Sequence, residues 1–260
     1  MASATDGRGI QSVETAYRVL LAIQASSPAS LKAIAETAGL TAPATRNYLV
    51  SLLRTGMVDQ VGRGAYQLGS SLAALGLAAL RHVGDFDTVK VEADALCGRI
   101  QRSVAVVVWS EAGPVIIHHH DSAKRGAFDL RNGLVSCLRT GSGHVFLSFL
   151  DEPATDSVAL KEATSEGWTK AQARALIEVT RRRVRDVGYA VCDLAELPGY
   201  VAISVPVWDA ADRLAYALTV TGPRPSIDVD PDSDHVQALR ASGRLLSRQL
   251  GAPPARWFEG

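Results

Sequence analysis

One interruption constrains this chain more than any other feature. Residues 31–58, LKAIAETAGLTAPATRNYLVSLLRTGMV, would read as a single long amphipathic helix but for Gly39-Leu40-Thr41 and then Pro43. Glycine suits the left-handed end of a helix, and a threonine hydroxyl can cap the N–H groups of the next one. A proline in the first helical turn loses no hydrogen bond. The stretch therefore predicts two helices joined by a tight turn. In the first, with Ser30 as its cap, Leu31, Ile34, Ala35 and Ala38 share a face; in the second, Thr45, Tyr48, Leu49 and Leu52 do. Pro43, Arg46, Asn47 and Val50 are left on the opposite face of the second helix. Upstream, VETAYRVLLAIQ predicts another helix with Val13, Ala16, Tyr17, Leu20 and Leu21 inward. Downstream, GMVDQVGRGAYQLG reads as strand, turn at Arg63-Gly64, and strand. Three helices with a tight turn before the last, then a two-stranded ribbon, make a winged helix-turn-helix. In that arrangement the last helix enters the DNA major groove and the wing reaches backbone or minor groove.

Charge supports this locally. The whole chain balances 27 Lys and Arg against 27 Asp and Glu, but residues 1–83 hold seven basic and four acidic side chains. That lobe is therefore +3 and the remainder −3, the asymmetry that phosphate binding needs. A three-helix protein-interaction module would tolerate the same charge. With 260 residues, two unequal domains are expected. The absence of a long apolar run or signal-like N-terminus points to a soluble chain with no membrane partner. Cys97, Cys137 and Cys192 are sparse, odd in number and widely spaced, which fits a reducing cytoplasm.

The remaining pattern is mixed α and β. Residues 69–82, GSSLAALGLAALRH, predict a connecting helix, with a boundary at Gly84. A helix over 86–101 buries Val89, Ala93, Leu96 and Ile100. VAVVVW and VIIHHHD flank Glu111-Ala112-Gly113-Pro114 as a hairpin, and 141–150 and 170–187 predict helices. Strands over 200–208 and 213–221 precede a final helix near 232–250.

From IQSVETAYRVLLAI through the wing, and again at RTGSGHVFLSFL, RDVGYAVCDLAELPGYVAISVPVWD and AYALTVTGP, the chain resembles the IclR family of bacterial transcription regulators. The resemblance implies an α+β protein: a winged helix-turn-helix over 1–68, a linker helix over 69–84 that helps pair DNA-binding lobes, and a GAF-like α/β effector domain over 85–260. It implies operator DNA and a small-molecule effector as partners, a homodimer or homotetramer, control of an adjacent catabolic operon, and neither catalytic residues nor a cofactor. The DNA-binding positions are then Thr41, Pro43, Arg46, Asn47 and, in the wing, Arg63. Carried over position by position, the effector pocket takes Val135, Gly141, Ser142, Cys192 or Asp193, Ala202, Thr219 and Thr221. Relatives usually carry arginine where this chain has Asn47, and a Pro-Leu-His-Ala pattern where it has Ser136-Cys137-Leu138-Arg139. Their lysine after the glycine is His144 here.

Other chemistry is weaker. His118 and His120 share a strand face and could ligate zinc, but no third ligand is defined beyond Asp121, so polar strand residues are the simpler expectation. Ser142 lacks the G-x-S-x-G spacing of a nucleophile elbow. Small residues that let a helix start approach a strand explain Gly141-Ser142-Gly143 equally well. Residues 181–185, RRRVR, are expected to be a solvated helix face. The N–H groups at 141–143 favour an anion, so an organic or aromatic carboxylate is the expected effector. A carboxylate at Asp193 would instead favour a neutral amide or hydrazide.

Overall fold

The computed structural model describes residues 9–62, 64–80, 85–122, 132–195 and 197–256, and the chain divides into two compact units, residues 1–82 and 83–260. Among the described residues no helix is long and apolar enough to cross a membrane.

The first unit runs α1 (Gln11–Ala25), β1 (Ala29–Ser30), α2 (Leu31–Ala38), α3 (Ala42–Arg54), β2 (Val58–Val61), β3 (Ala65–Leu68) and α4 (Ser70–Leu80). Gly39 ends α2 at φ 65°, a left-handed conformation that glycine adopts without strain. The hydroxyls of Ser30 and Thr41 accept from Ala33 N and Ala44 N, and Pro43 sits in the first turn of α3. Ile34, Leu49 and Leu52 meet Val19 and Ile23 of α1 in one core. The inward face of α1 differs from the sequence expectation: Thr15, Val19, Ala22 and Ile23 are buried, while Val13 and Tyr17 are exposed. Both faces of this helix are apolar, so periodicity alone could not choose between them. The ribbon also gains a third strand, β1, paired with β3 in the order β1-β3-β2. Two residues are too few to show a strand period.

The second unit runs α5 (Phe86–Ile100), β4 (Ser103–Ser110), β5 (Gly113–His120), β6 (Gly133–Leu134), α6 (Gly141–Phe149), α7 (Glu152–Ser165), α8 (Lys170–Val187), β7 (Ala190–Asp193), β8 (Tyr200–Trp208), β9 (Leu214–Pro223) and α9 (Asp234–Gln249). Six antiparallel strands form one sheet in the order β6-β5-β4-β9-β8-β7. Alternation along the strands makes two faces. Val104, Val106, Ile203, Val205, Leu218 and Val220 pack with α5 and α9. Ala105, Val107 and Ala217 face the side of α6 and α8.

Between α6 and α8 the basic run departs from the expected solvated face. Arg181, expected on a solvated face, is only 3% exposed. Its Nε donates to Leu147 O, and its terminal nitrogen donates to Thr155 Oγ1 and Asp156. Arg185 donates to Ser148 O. Two guanidinium groups thus satisfy carbonyls at the C-terminal end of α6, where a short helix has none of its own donors left. Arg182 and Arg183 remain exposed.

Candidate nucleic-acid interface and ligand cavity

On α3, burial of Thr45, Leu49 and Leu52 decides which residues turn outward. Thr45 is held further by its hydroxyl, which donates to Thr41 O at 3.0 Å. Thr41, Pro43, Arg46, Asn47 and Val50 are all exposed, and all but Val50 lie at the N-terminal half of the helix. The strands of the wing pair Val58 with Leu68 and Val61 with Ala65, and the turn between them uses positive φ at Gly62 and Gly64. Arg63, the expected wing contact, lies outside the described residues.

In the second unit the N-terminus of α6 meets the sheet. An added Cβ at Gly141 would stand 2.6 Å from Ser204 Oγ, and one at Gly143 would stand 2.3 Å from Cys137 O. Only glycine permits both approaches. A cavity of about 170 Å³ opens beside this contact. Its apolar side is built by Ala105, Val107 and Ile116 of β4 and β5 with Leu134, and Leu194 and Leu197 close it from the loop after β7. Its polar side is α6, β8 and β9. Of the residues expected at the effector site, Val135, Gly141, Ser142, Ala202, Thr219 and Thr221 line this cavity. The other two do not. Asp193 is exposed and pairs with Arg224 at 2.7 Å, and the half-buried Cys192 thiol, pushed up to about 11 by burial and by Asp193, donates to Asp193 O.

A clamp that sequence reasoning missed holds the loop before α6. Glu162 of α7 accepts from Ser136 Oγ and, at 2.7 Å, from Cys137 N. Thr140 caps α6, accepting from Gly143 N and donating to Ser136 O. His144 Nε2 donates to Leu138 O at 2.8 Å, while its Nδ1 is buried with no hydrogen-bond partner. Burial depresses the His144 imidazole, and the Leu138 bond only partly opposes that. Arg139 lines the cavity, yet its guanidinium is tied to Glu166 at 2.8 Å and lies over the Trp168 ring. Burial raises the Cys137 thiol far above its ordinary range, with Glu162 adding to the effect, so it is inert.

His118 and His120 do share a face, and each contacts the same oxygen of Asp94, at 2.8 and 2.9 Å. Burial pushes the Asp94 carboxyl up, but the two histidine hydrogen bonds outweigh this and hold it below its usual value. His119 turns the other way, toward Asn132.

Comparison with known proteins agrees with both halves. Residues 12–62 match the model of the IclR helix-turn-helix domain, and residues 78–248 match that of the bacterial transcriptional regulator IclR C-terminal region. The glycerol operon regulatory protein of Streptomyces coelicolor is 28% identical over 260 residues, covering 94% of this chain and 98% of that protein. An IclR family transcriptional regulator from Brucella abortus superposes with a TM-score of 0.78 at 16% identity, covering 96% of each chain. An IclR homolog from Microbacterium hydrocarbonoxydans, solved with 4-hydroxybenzoate, has a TM-score of 0.68 at 17% identity, covering 92% of this chain and 98% of that one.

Proposed function

The chain belongs to the IclR family of bacterial transcription regulators, and on that premise we propose which of its surfaces reads DNA, how copies pair, and what enters the cavity. As a member it is a DNA-binding regulator with a C-terminal effector domain, and not an enzyme. Arg46 and Asn47 read base edges, Thr41 and Pro43 set the approach of α3 to the groove, and Arg63 in the wing touches phosphate. The observation that carries this is the exposed N-terminal face of α3, with Thr45, Leu49 and Leu52 locked inward beneath it. DNA as the target places the protein in the cytoplasm.

Copies pair as a homodimer or homotetramer, with residues 69–84 acting as a linker that joins a DNA-binding domain over 1–68 to an effector domain over 85–260. Exposed apolar side chains on two helices support pairing: Val13 and Tyr17 on α1, Leu75 and Leu77 on α4. A second copy covering them would gain from burial and present two recognition helices to a pseudo-palindromic operator.

The cavity beside α6 holds the effector, an organic or aromatic carboxylate or a neutral amide or hydrazide. An apolar cavity of about 150 Å³ accommodates a benzene ring, so a cavity of about 170 Å³ suits a single ring with small substituents. The 4-hydroxybenzoate bound by the Microbacterium homolog is of that size. Ligand acts by preferring one arrangement of the chain and so changes affinity for an operator upstream of an adjacent catabolic operon.

Footprinting with Arg46→Ala and Asn47→Ala tests the DNA half. Each should lose about 1–3 kcal/mol of discrimination at a single operator position. Arg63→Ala should weaken all sequences alike and flatten the salt dependence. Unchanged operator selection in both α3 variants would move the reading face elsewhere.

A further inference from the structure

Each hydroxyl on the cavity wall carries one proton, and most of those protons are already committed. Thr221 Oγ1 donates to Val201 O at 3.1 Å. Thr140 Oγ1 donates to Ser136 O at 2.6 Å. With that proton used, the 3.2 Å contact between Thr140 and Ser142 can only be donated by Ser142. Ser136 gives its proton to Glu162. Thr219 and Ser204 share one bond at 2.8 Å, which leaves a single proton between them. Thr221 and Ser142 are 5% and 3% exposed, so little bulk water reaches their oxygens. What they still offer is lone pairs.

Donors on the same wall are few. The first N–H groups of a helix lack intrahelical partners, which leaves those of Gly141 and Ser142 for a ligand. The N–H of Gly143 is taken by Thr140. Arg139, the one charged side chain among the described lining residues, is neutralised by Glu166. Register brings the two kinds of group together: Thr221 is paired with Ala202 and Thr219 with Ser204, and Gly141 packs against both Ala202 and Ser204.

We propose that the effector's polar head is neutral and both accepts and donates, as a primary amide or hydrazide does, and that the wall discriminates against a carboxylate. The inference rests on the reading of this cavity as the effector site. An amide oxygen would accept from Gly141 and Ser142 N–H while its N–H donates to Thr221 and Ser142 Oγ. A carboxylate would accept at the first pair and set its second oxygen against lone pairs. Beyond the single spare proton of the Thr219–Ser204 pair, it could be received only if those hydroxyls turned and gave up Val201 and Thr140, or if it bound as its acid and brought the missing proton. In the sequence alone the case for an amide is Asp193, which pairs with Arg224 instead; the hydroxyl protons reach the same class by another route.

Calorimetry on the full chain near neutral pH tests this with matched pairs, benzamide against benzoate and 4-hydroxybenzamide against 4-hydroxybenzoate. The amide should bind at least about tenfold more tightly in each pair, the equivalent of roughly one hydrogen bond to a buried acceptor. Carboxylate that binds as its acid should take up about one proton, read from heats in buffers of different ionisation enthalpy, whereas weak binding by turned hydroxyls takes up none. Thr221→Val should weaken the amides alone, and Thr221→Ser, which keeps the oxygen, should retain the preference. Carboxylates that bind as tightly as their amides without proton uptake would overturn the inference, as would equal weakening of both by Thr221→Val; either result would leave the cavity as the effector site. If no member of either pair binds to a chain that still binds DNA, the ring-sized ligand is wrong and the inference falls with it.

Discussion

Thr41 and Thr140 do the same local work: each hydroxyl accepts the N–H of the third residue beyond it and opens a helix. The two helices they open have opposite surroundings. Helix α3 turns Pro43, Arg46 and Asn47 to solvent, whereas every residue from Gly141 to Ser148 of α6 is buried. The first helix has its beginning open to solvent, where we propose DNA docks, and the second has its beginning beside a cavity of ring size. A capped helix start is therefore a common device whose use is set by what packs around it. Among the described residues of its unit, α3 packs on one side into a core built mainly with α1 and α2. Around α6 there is the sheet on one side, α7 and α8 on the other, and a clamped loop at the end.

Because of that difference, the two helix starts should respond very differently to a small substitution. Gly143→Ala would drive Cβ against Cys137 O and, at 2.7 Å, against Ser136 O. Those carbonyls belong to a loop held by Glu162, Thr140 and His144, so they cannot retreat. We expect a loss of about 3 kcal/mol in unfolding of the second unit. Pro43→Ala in the first turn of α3, exposed on the other helix, should stay within about 0.5 kcal/mol. Thermal unfolding of the two variants side by side checks the contrast, and similar losses would break it.

A smaller effect separates the helices by pH. His144 is buried in α6 and its folded pKa is depressed below the ordinary 6.5, chiefly by desolvation. The unfolded chain then binds the proton more readily than the folded one. The stabilisation is complete above about pH 6.5 and is lost as pH falls below it. His144→Gln keeps a donor for Leu138 O but has nothing to protonate, so its melting temperature should decline less between pH 7 and 5.5, on the order of a few degrees. No comparable group sits inside α3, whose buried residues are Thr45, Leu49 and Leu52. A variant whose acid slope equals that of the parent chain would remove His144 as the cause.

The same contrast explains how far each region was legible in the sequence. The helix-turn-helix could be read almost residue by residue, because Gly39, Thr41, Pro43 and the spacing of Leu49 and Leu52 act within a few positions of one another. Where it failed, in the phase of α1, two apolar faces competed. In the second unit the long helices and the β8–β9 pair were legible, but α7 was not: its buried stripe is Thr155, Ala159 and Ala163, too small and too weakly apolar to show a period. With α7 unseen, Glu162 could not be recognised as the clamp on Ser136 and Cys137, which lie 25 or so residues away. The burial of Arg181 is hidden from the sequence for a related reason. Its partners Leu147 and Thr155 come from two other helices, and a basic run gives no sign of which arginine will be buried. Six cavity positions came from family resemblance rather than from any local rule, and Asp193 shows where such transfer stops: the strand β7 turns it toward Arg224.

The central claim is that the site inside the second unit and the DNA-reading face of the first are energetically linked. The direct measurement is the operator dissociation constant with and without a saturating concentration of a ligand already shown by calorimetry to bind. Linkage predicts a change of about 5-fold to 150-fold in operator affinity, and the same factor, reciprocally, in the ligand's affinity when operator is present. An operator constant that stays the same with the cavity demonstrably occupied would contradict the account.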